Sequence, residues 1–239
     1  MANLPKATPL GTGSLLAYAL PSIALQAMMV PLLLTLPALY AQEVGLAVAS
    51  ISLALIIARS LEAISDPIIG ALSDRTRAGP WQRAGWMVAG TPIAVLSGIA
   101  LLHPGPGAGT LYLLVCLILF YGGWTMVYIP YQSWGVELSD DFAERSRVAA
   151  FREAGSFLGY LASAFIPLVA LMIILGQSAP TFAAQARAVG WFFTFSLPLF
   201  VFLCVKYVPR ARPTAEPTHI SWSRMFEVLG RNKPFRVLL

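Results

Sequence analysis

Six apolar windows, each long enough to cross a bilayer as helix, constrain this chain more than any other feature of its sequence. They run roughly from Leu10 to Leu39, Val44 to Leu72, Ala84 to Leu102, Thr110 to Leu138, Val148 to Leu175 and Ala188 to Val208. About 20 residues of helix span the roughly 30 Å of hydrocarbon in a membrane. Windows of this length are too long for the strands of a transmembrane barrel, and backbone groups in lipid must be satisfied internally, which leaves helices. The chain therefore reads as an all-α membrane protein, a six-transmembrane-helix bundle. Composition agrees: of 239 residues, 57% are hydrophobic and 11% charged, and mean hydropathy is +0.71, outside the makeup of an ordinary soluble domain.

Short polar breaks separate the windows: "AQE", "DRTRAGPWQR", "HPGPGAG", "SDDFAERSR" and "GQSAPTFAAQ". Gly and Pro punctuate most of them, as turns require. The second and fourth breaks, the N-terminal tail and the C-terminal segment hold all but three of the 16 Lys and Arg residues. Arg187 lies in an odd-numbered break; Arg59 and Arg152 lie within windows. Basic loops stay inside, so both termini are expected in the cytoplasm, and an inner (plasma) membrane of a bacterium is the expected location. The net charge of +5 is then explained by topology, and no nucleic-acid partner is needed.

Other chemistries find little support. Cys116 and Cys204 fall in different windows without CxxC spacing, which indicates neither a disulfide framework nor a zinc site. His103 and His219 are too far apart to share a metal, and no His lies within a window, so an intramembrane enzyme lacks its base. "GPGAG" at residues 105–109 has no following Lys and reads as a turn. The long first window lacks a small-residue cleavage site and reads as a retained span. The expected organisation is a bundle over residues 1–209, a cytoplasmic middle loop over 210–233 with an amphipathic piece around Trp222 to Leu229, and the start of a truncated seventh helix at 234–239.

The second window raises the functional question. Arg59, Glu62, Ser65, Asp66 and Gly70 recur at three- and four-residue spacing and share one helical face. At about 1.5 Å per residue, Glu62 and Asp66 lie roughly 18 and 12 Å inside Asp74, where the loop begins. Each ionised group near mid-membrane costs about 2.5 to 3.5 kcal/mol, so the stripe is expected to face the bundle interior or a wet cavity. Arg59 can pair with Glu62, leaving a charge of about minus one. Two carboxylates and the Ser65 hydroxyl are hard oxygen ligands of the type that Na⁺, Li⁺ or a proton uses, and Pro67 frees the carbonyl of Ala63. Glu62 and Asp66 are the candidate ligands of a transported Na⁺. The same spacing also fits a buried ion-pair network that only fixes helix packing.

The fourth window, "FYGGWTMVYIPYQSWGVEL", places Pro130 at membrane depth, where it is expected to break the helix. Trp124, Tyr128 and Tyr131 share a face on which a ring-shaped solute could stack; core packing is the competing reading. Gly155, Gly159 and Ser163 in the fifth window make a helix-packing stripe. Arg152 and Glu153 near its start suit either a gate or a surface pair.

Together, "DPIIGALSDRTRAGPWQR", "YIPYQSWGVELSDDFAERSRVAAFR" and the late "NKPF" resemble the glycoside-pentoside-hexuronide:cation symporters of the major facilitator superfamily, of melibiose-carrier type. The resemblance extends over nearly the whole chain. It implies the N-terminal half of a twelve-helix carrier whose missing C-terminal six-helix half rocks against it in alternating access. It also implies a coupling cation at Glu62, Asp66 and Thr125, with Ser65 where Asn is common, and Arg59 as their charge partner. A cytoplasmic gate would comprise Gly70, Asp74, Arg75, Arg83 and Arg145, and the solute would meet Ser22, Trp124, Tyr128, Gln132 and Arg152. Ser22 and Tyr128 stand where melibiose-type carriers have sugar-binding Asp residues. Cation coupling is thus better supported than a galactoside substrate. The expectation is a Na⁺- or H⁺-coupled symporter of a sugar, glycoside or related small solute, without an enzymatic cofactor. A cation-coupled lipid or lysolipid carrier and a non-transporting scaffold or sensor are the alternatives.

Overall fold

A computed structural model of the chain describes residues 9–76, 81–174, 176 and 181–210. It contains six membrane-length helices: α1 (Thr12–Val44), α2 (Val48–Arg75), α3 (Gln82–Leu102), α4 (Thr110–Glu137), α5 (Phe142–Ile173) and α6 (Phe182–Tyr207). No strand occurs among the described residues. Apart from Arg210, the expected middle loop and seventh-helix start lie outside them.

The helices extend beyond the apolar windows where local capping supports them. α5 begins at Phe142, six residues before the window at Val148, because the Asp141 carboxylate accepts from the Glu144 amide. Thr181 caps α6 in the same way at the Ala184 amide. These first turns are polar, so hydropathy alone misses them while side-chain capping satisfies their orphan amides. α1 continues to Val44 through two wide π-helical turns, Pro31–Thr35 and Tyr40–Val44. Pro37 lacks an amide hydrogen and its ring crowds the carbonyl four residues back; the first wide turn lies beside it. Gly45, at φ 76°, ends the helix in the left-handed conformation that glycine adopts without strain.

Pro130 does not break α4, contrary to the expectation from sequence: the helix runs unbroken from Thr110 to Glu137. Pro130 is buried, and packing from neighbouring helices holds the axis where one backbone bond is missing.

Close approaches of small residues set the arrangement. A Cβ on Gly123 would lie 2.5 Å from the amide nitrogen of Ala94, and one on Gly90 would lie 2.6 Å from the Met126 Cβ. Glycine at both positions lets α3 and α4 meet backbone to backbone. α5 meets α1 in the same manner: a Cβ on Gly159 would lie 2.5 Å from the Ile23 carbonyl oxygen. The Gly155, Gly159, Ser163 stripe is thus the α1 contact face, as small-residue packing in membranes predicts. α6 packs on α1 and α3, and α2 on α4. Leu25, Met28, Leu36, Phe120, Phe193 and Leu197 fill the centre. Rows of apolar side chains remain exposed on α2 (Leu53, Ile56, Ile64) and α5 (Phe157, Leu161, Phe165), far more than a soluble protein displays.

Candidate functional site

The charged stripe of α2 faces α4 and α1. Arg59, Glu62, Ser65, Asp66 and Gly70 are all half-buried, whereas Ile64 and Ile68 on the other side are exposed. The Arg59 guanidinium sits 4.8 Å over the Tyr121 ring of α4 and reaches the Met29 sulfur of α1 at 3.6 Å. Its Nη1 pairs with Glu62 Oε2 at 2.6 Å, the two side chains being 37% and 12% exposed. One turn on, the Thr125 hydroxyl of α4 donates to Asp66 Oδ1 at 2.8 Å. Further along, Gly70 faces Ile129 of α4, where an added Cβ would make an ordinary contact at 3.6 Å.

The two acids are therefore unequal. Glu62 has a basic partner on its own helix. Asp66 has a neutral hydroxyl donor and no Lys or Arg within ion-pair distance among the described residues. Ser65 donates to the Glu62 carbonyl at 3.0 Å, which leaves its oxygen lone pairs available. Oxygen donors thus gather at one level of α2 and α4, with a net charge of about minus one after Arg59 is counted. Both carboxylates lie in an apolar stretch, where an unneutralised charge is costly.

Near the α4–α5 boundary, Arg152 Nη1 donates to Gln132 Oε1 at 3.2 Å and Nη2 pairs with Glu153 at 2.7 Å. Tyr128, one turn before Gln132, is half-buried. These three expected solute contacts are brought together. Trp124 lies beside Tyr128, ring centroids 6.3 Å apart, but is itself buried among core residues, 5.8 Å from the centroid of Phe120. Ser22 is 1% exposed, its hydroxyl shared between the carbonyls of Ala19 at 2.7 Å and Arg152 at 3.0 Å. Tyr131 is likewise structural. It donates to the Tyr18 carbonyl at 2.6 Å while Tyr18 donates to the Tyr131 carbonyl at 3.1 Å, a reciprocal clamp between α4 and α1.

At the other end of α2, Arg83 forms the centre of a compact network. It pairs with Glu137 at 2.5 Å and Asp74 at 2.7 Å, and donates to the Ser73 hydroxyl at 2.7 Å. Side-chain exposure is 7% for Arg83, 11% for Glu137 and 60% for Asp74. Arg75 is exposed. Arg145 binds the Ser139 carbonyl at 2.7 Å and Asp140 at 3.7 Å, bracing the α4–α5 turn rather than the Arg83 cluster. Sequence reading missed Glu137, which looked like the edge of an apolar window; its partner is 54 residues away in sequence. Ser73 and Met29 gave no signal for the same reason.

A bundle of apolar helices with a charged seam at membrane depth is the makeup of a membrane transport protein. The chain belongs to the MFS/sugar transport protein family, whose profile matches residues 17–239. It is 25% identical over 202 residues to the inner membrane symporter YicJ of Escherichia coli K12, covering 83% of this chain and 43% of that protein. Over 118 residues it is 35% identical to the uncharacterized symporter sll1374 of Synechocystis, covering 46% of this chain and 22% of the relative. Similarity also extends to the sodium-dependent lysophosphatidylcholine symporter 1-B of Danio rerio, 31% identical over 116 residues, covering 46% of this chain and 22% of that protein. The chain spans less than half the length of these curated relatives.

Proposed function

We propose that this chain forms the N-terminal six-helix half of a cation-coupled symporter that works by alternating access. The cation, Na⁺ or H⁺, binds at Asp66 and Glu62 with the Thr125 and Ser65 hydroxyls, and the solute contacts Tyr128, Gln132 and Arg152. One observation carries the reading: Asp66 is held at membrane depth by a neutral Thr125 hydroxyl, with no basic partner at ion-pair distance among the described residues. A purely structural network would neutralise both acids; here one remains to be balanced by a visiting cation.

Binding of the cation neutralises the seam and thereby favours solute at the neighbouring α4 face; by linkage, the solute strengthens cation binding by the same factor. The Arg83, Glu137 and Asp74 network ties α2, α3 and α4 together at the side expected to be cytoplasmic, and releasing it would let the halves separate there. In the full-length protein, Asp66→Asn is expected to abolish cation dependence of uptake while membrane insertion is retained. Uptake that keeps its Na⁺ or H⁺ dependence in this variant rejects the site.

A second reading concerns the solute. Ser22 and Tyr128 supply no carboxylate to bind sugar hydroxyls, and similarity to a protein named for sodium-dependent lysophosphatidylcholine symport favours an amphiphilic cargo. Competition of unlabelled glycosides and lysolipids for cation-dependent stabilisation of the complete protein separates the two.

A further inference from the structure

α1, α5 and α6 enclose a groove of about 400 Å³ on the side of the bundle away from the charged seam. Leu16, Leu20 and Ile23 of α1, Phe151 and Leu158 of α5 and Leu203 of α6 form its walls, and the lining is almost entirely carbon. Its floor exists because α1 and α5 meet through small residues: a Cβ on Gly155 would strike the Ser22 hydroxyl and the Ala19 carbonyl. The volume lies within the roughly 300 to 1,000 Å³ of ligand sites. From Gly13 to Ile23 the α1 wall rises about 15 Å, half of the roughly 30 Å hydrocarbon thickness and so the depth of one leaflet. A hydroxylated solute would lose its hydrogen bonds to water there and gain none; a hydrocarbon chain would not.

The mouth of the groove is basic. Tyr207 lines it, and the Lys206 ammonium lies 5.2 Å from the centroid of that ring and 5.7 Å from that of Phe202. No carboxylate pairs with Lys206 among the described residues. The chain leaves the helix at Val208 in an extended conformation, and the Pro209 carbonyl accepts from the Trp134 indole of α4 at 3.0 Å, so Lys206 is the charge at the groove mouth. Arg147 nearby is already neutralised by Glu144 at 3.1 Å. The Ser14 hydroxyl donates to the Tyr207 carbonyl at 3.2 Å and fixes the end of α6 over α1. Lys and Arg at the membrane surface attract anionic headgroups, and a tyrosine at this level suits the interface.

We infer that this groove binds one acyl chain of an anionic phospholipid from the leaflet at the basic helix ends, with the headgroup held by Lys206. The site is separate from the cation and solute contacts and requires only that the chain span a membrane. The test is native mass spectrometry of the full chain in neutral detergent, titrated with phosphatidylglycerol or with phosphatidylcholine of the same acyl chains. The chain is expected to retain one phosphatidylglycerol saturably, at least tenfold more tightly than phosphatidylcholine. Lys206→Ala should equalise the two lipids. Ala154→Trp, which fills the groove from α5, and Leu16→Trp, which fills it from α1, should each abolish saturable retention. Equal retention of both lipids by the unmodified chain, no retention of either, or retention that survives both Trp variants overturns the inference. A dimer that the Trp variants dissolve also overturns it and assigns the groove to a second copy.

Discussion

Arg83 offers the most exacting test of how the structure distributes its electrostatic energy. It is 7% exposed and faces two carboxylates, Glu137 at 11% and Asp74 at 60% exposure. The Glu137 pair is nearly dry, with Nε as well as Nη2 directed at the same carboxylate. Removing one partner of a buried pair costs about 3 to 5 kcal/mol, because the other charge is left without compensation. At the end of the helices the lower figure applies, so Arg83→Ala should cost about 3 kcal/mol. For a chain of this size, 1 kcal/mol corresponds to about 2 to 4 °C, which gives a fall in Tm of about 6 to 12 °C. Glu137→Gln should cost about 2 kcal/mol. Asp74→Asn should cost no more than about 1 kcal/mol, since solvent screens an exposed pair. Replacing both members, Arg83→Met with Glu137→Leu, should recover most of the loss because no unpaired charge remains. A thiol-reactive dye can follow unfolding in detergent, since Cys116 and Cys204 are both buried and free. If Asp74→Asn proves as damaging as Glu137→Gln, or if the double replacement loses the sum of the two single losses, the assignment of the energy to a buried Arg83–Glu137 pair is wrong.

Three further outcomes are expected. Thr125→Val deletes the donor to Asp66; hydrogen bonds to charged groups contribute about 1.5 to 3 kcal/mol, so half-saturation by the coupling cation should rise at least about tenfold in the full-length protein, and an unchanged Na⁺ or H⁺ titration would detach Thr125 from the site. Gly123→Ala should lose about 1 to 3 kcal/mol of stability through overpacking against the Ala94 backbone, whereas Gly122→Ala, with nothing within 4 Å of its added Cβ, should be neutral or slightly stabilising in the same thermal assay. Tyr131→Phe removes one half of the reciprocal clamp with Tyr18 and should lower Tm by about 2 to 4 °C, for a hydrogen bond contributing about 1 kcal/mol; no change would mean that the clamp adds nothing to the α1–α4 contact.

The stripe on α2 shows how far one-dimensional reading extends. A period of three to four residues places Arg59, Glu62, Ser65 and Asp66 on one face whatever that helix packs against, and the expense of charge in hydrocarbon turns the face inward. Even the Arg59–Glu62 pair is legible, because both residues belong to one helix three positions apart. The extent of α5 and α6 was less so, because polar capped turns at Asp141 and Thr181 carry no hydropathy signal. Aromatic residues on one face of α4 could not be sorted at all by spacing. Packing separated them: Trp124 lies against Phe120, Tyr131 is clamped to Tyr18, and Tyr128 alone of the three is half-open beside Gln132 and Arg152.

What the sequence determined by itself is the set of properties that depend on local periodicity and on the solvent. Six helices must satisfy their own backbone in lipid, and all but three of the 16 Lys and Arg residues fall in the breaks and tails that the charge bias assigns to one side. What only the tertiary structure decided is the geometry by which a charge is answered from another helix, even where, as for Thr125, the family resemblance already groups the residues. Asp66 finds Thr125 59 residues away, and Arg83 finds Glu137 54 residues away, because glycines at positions 90 and 123 let α3 and α4 close to backbone contact and α2 lies along α4. Those pairings depend on distances set by the packing of several helices together, and no spacing along a single chain segment encodes them.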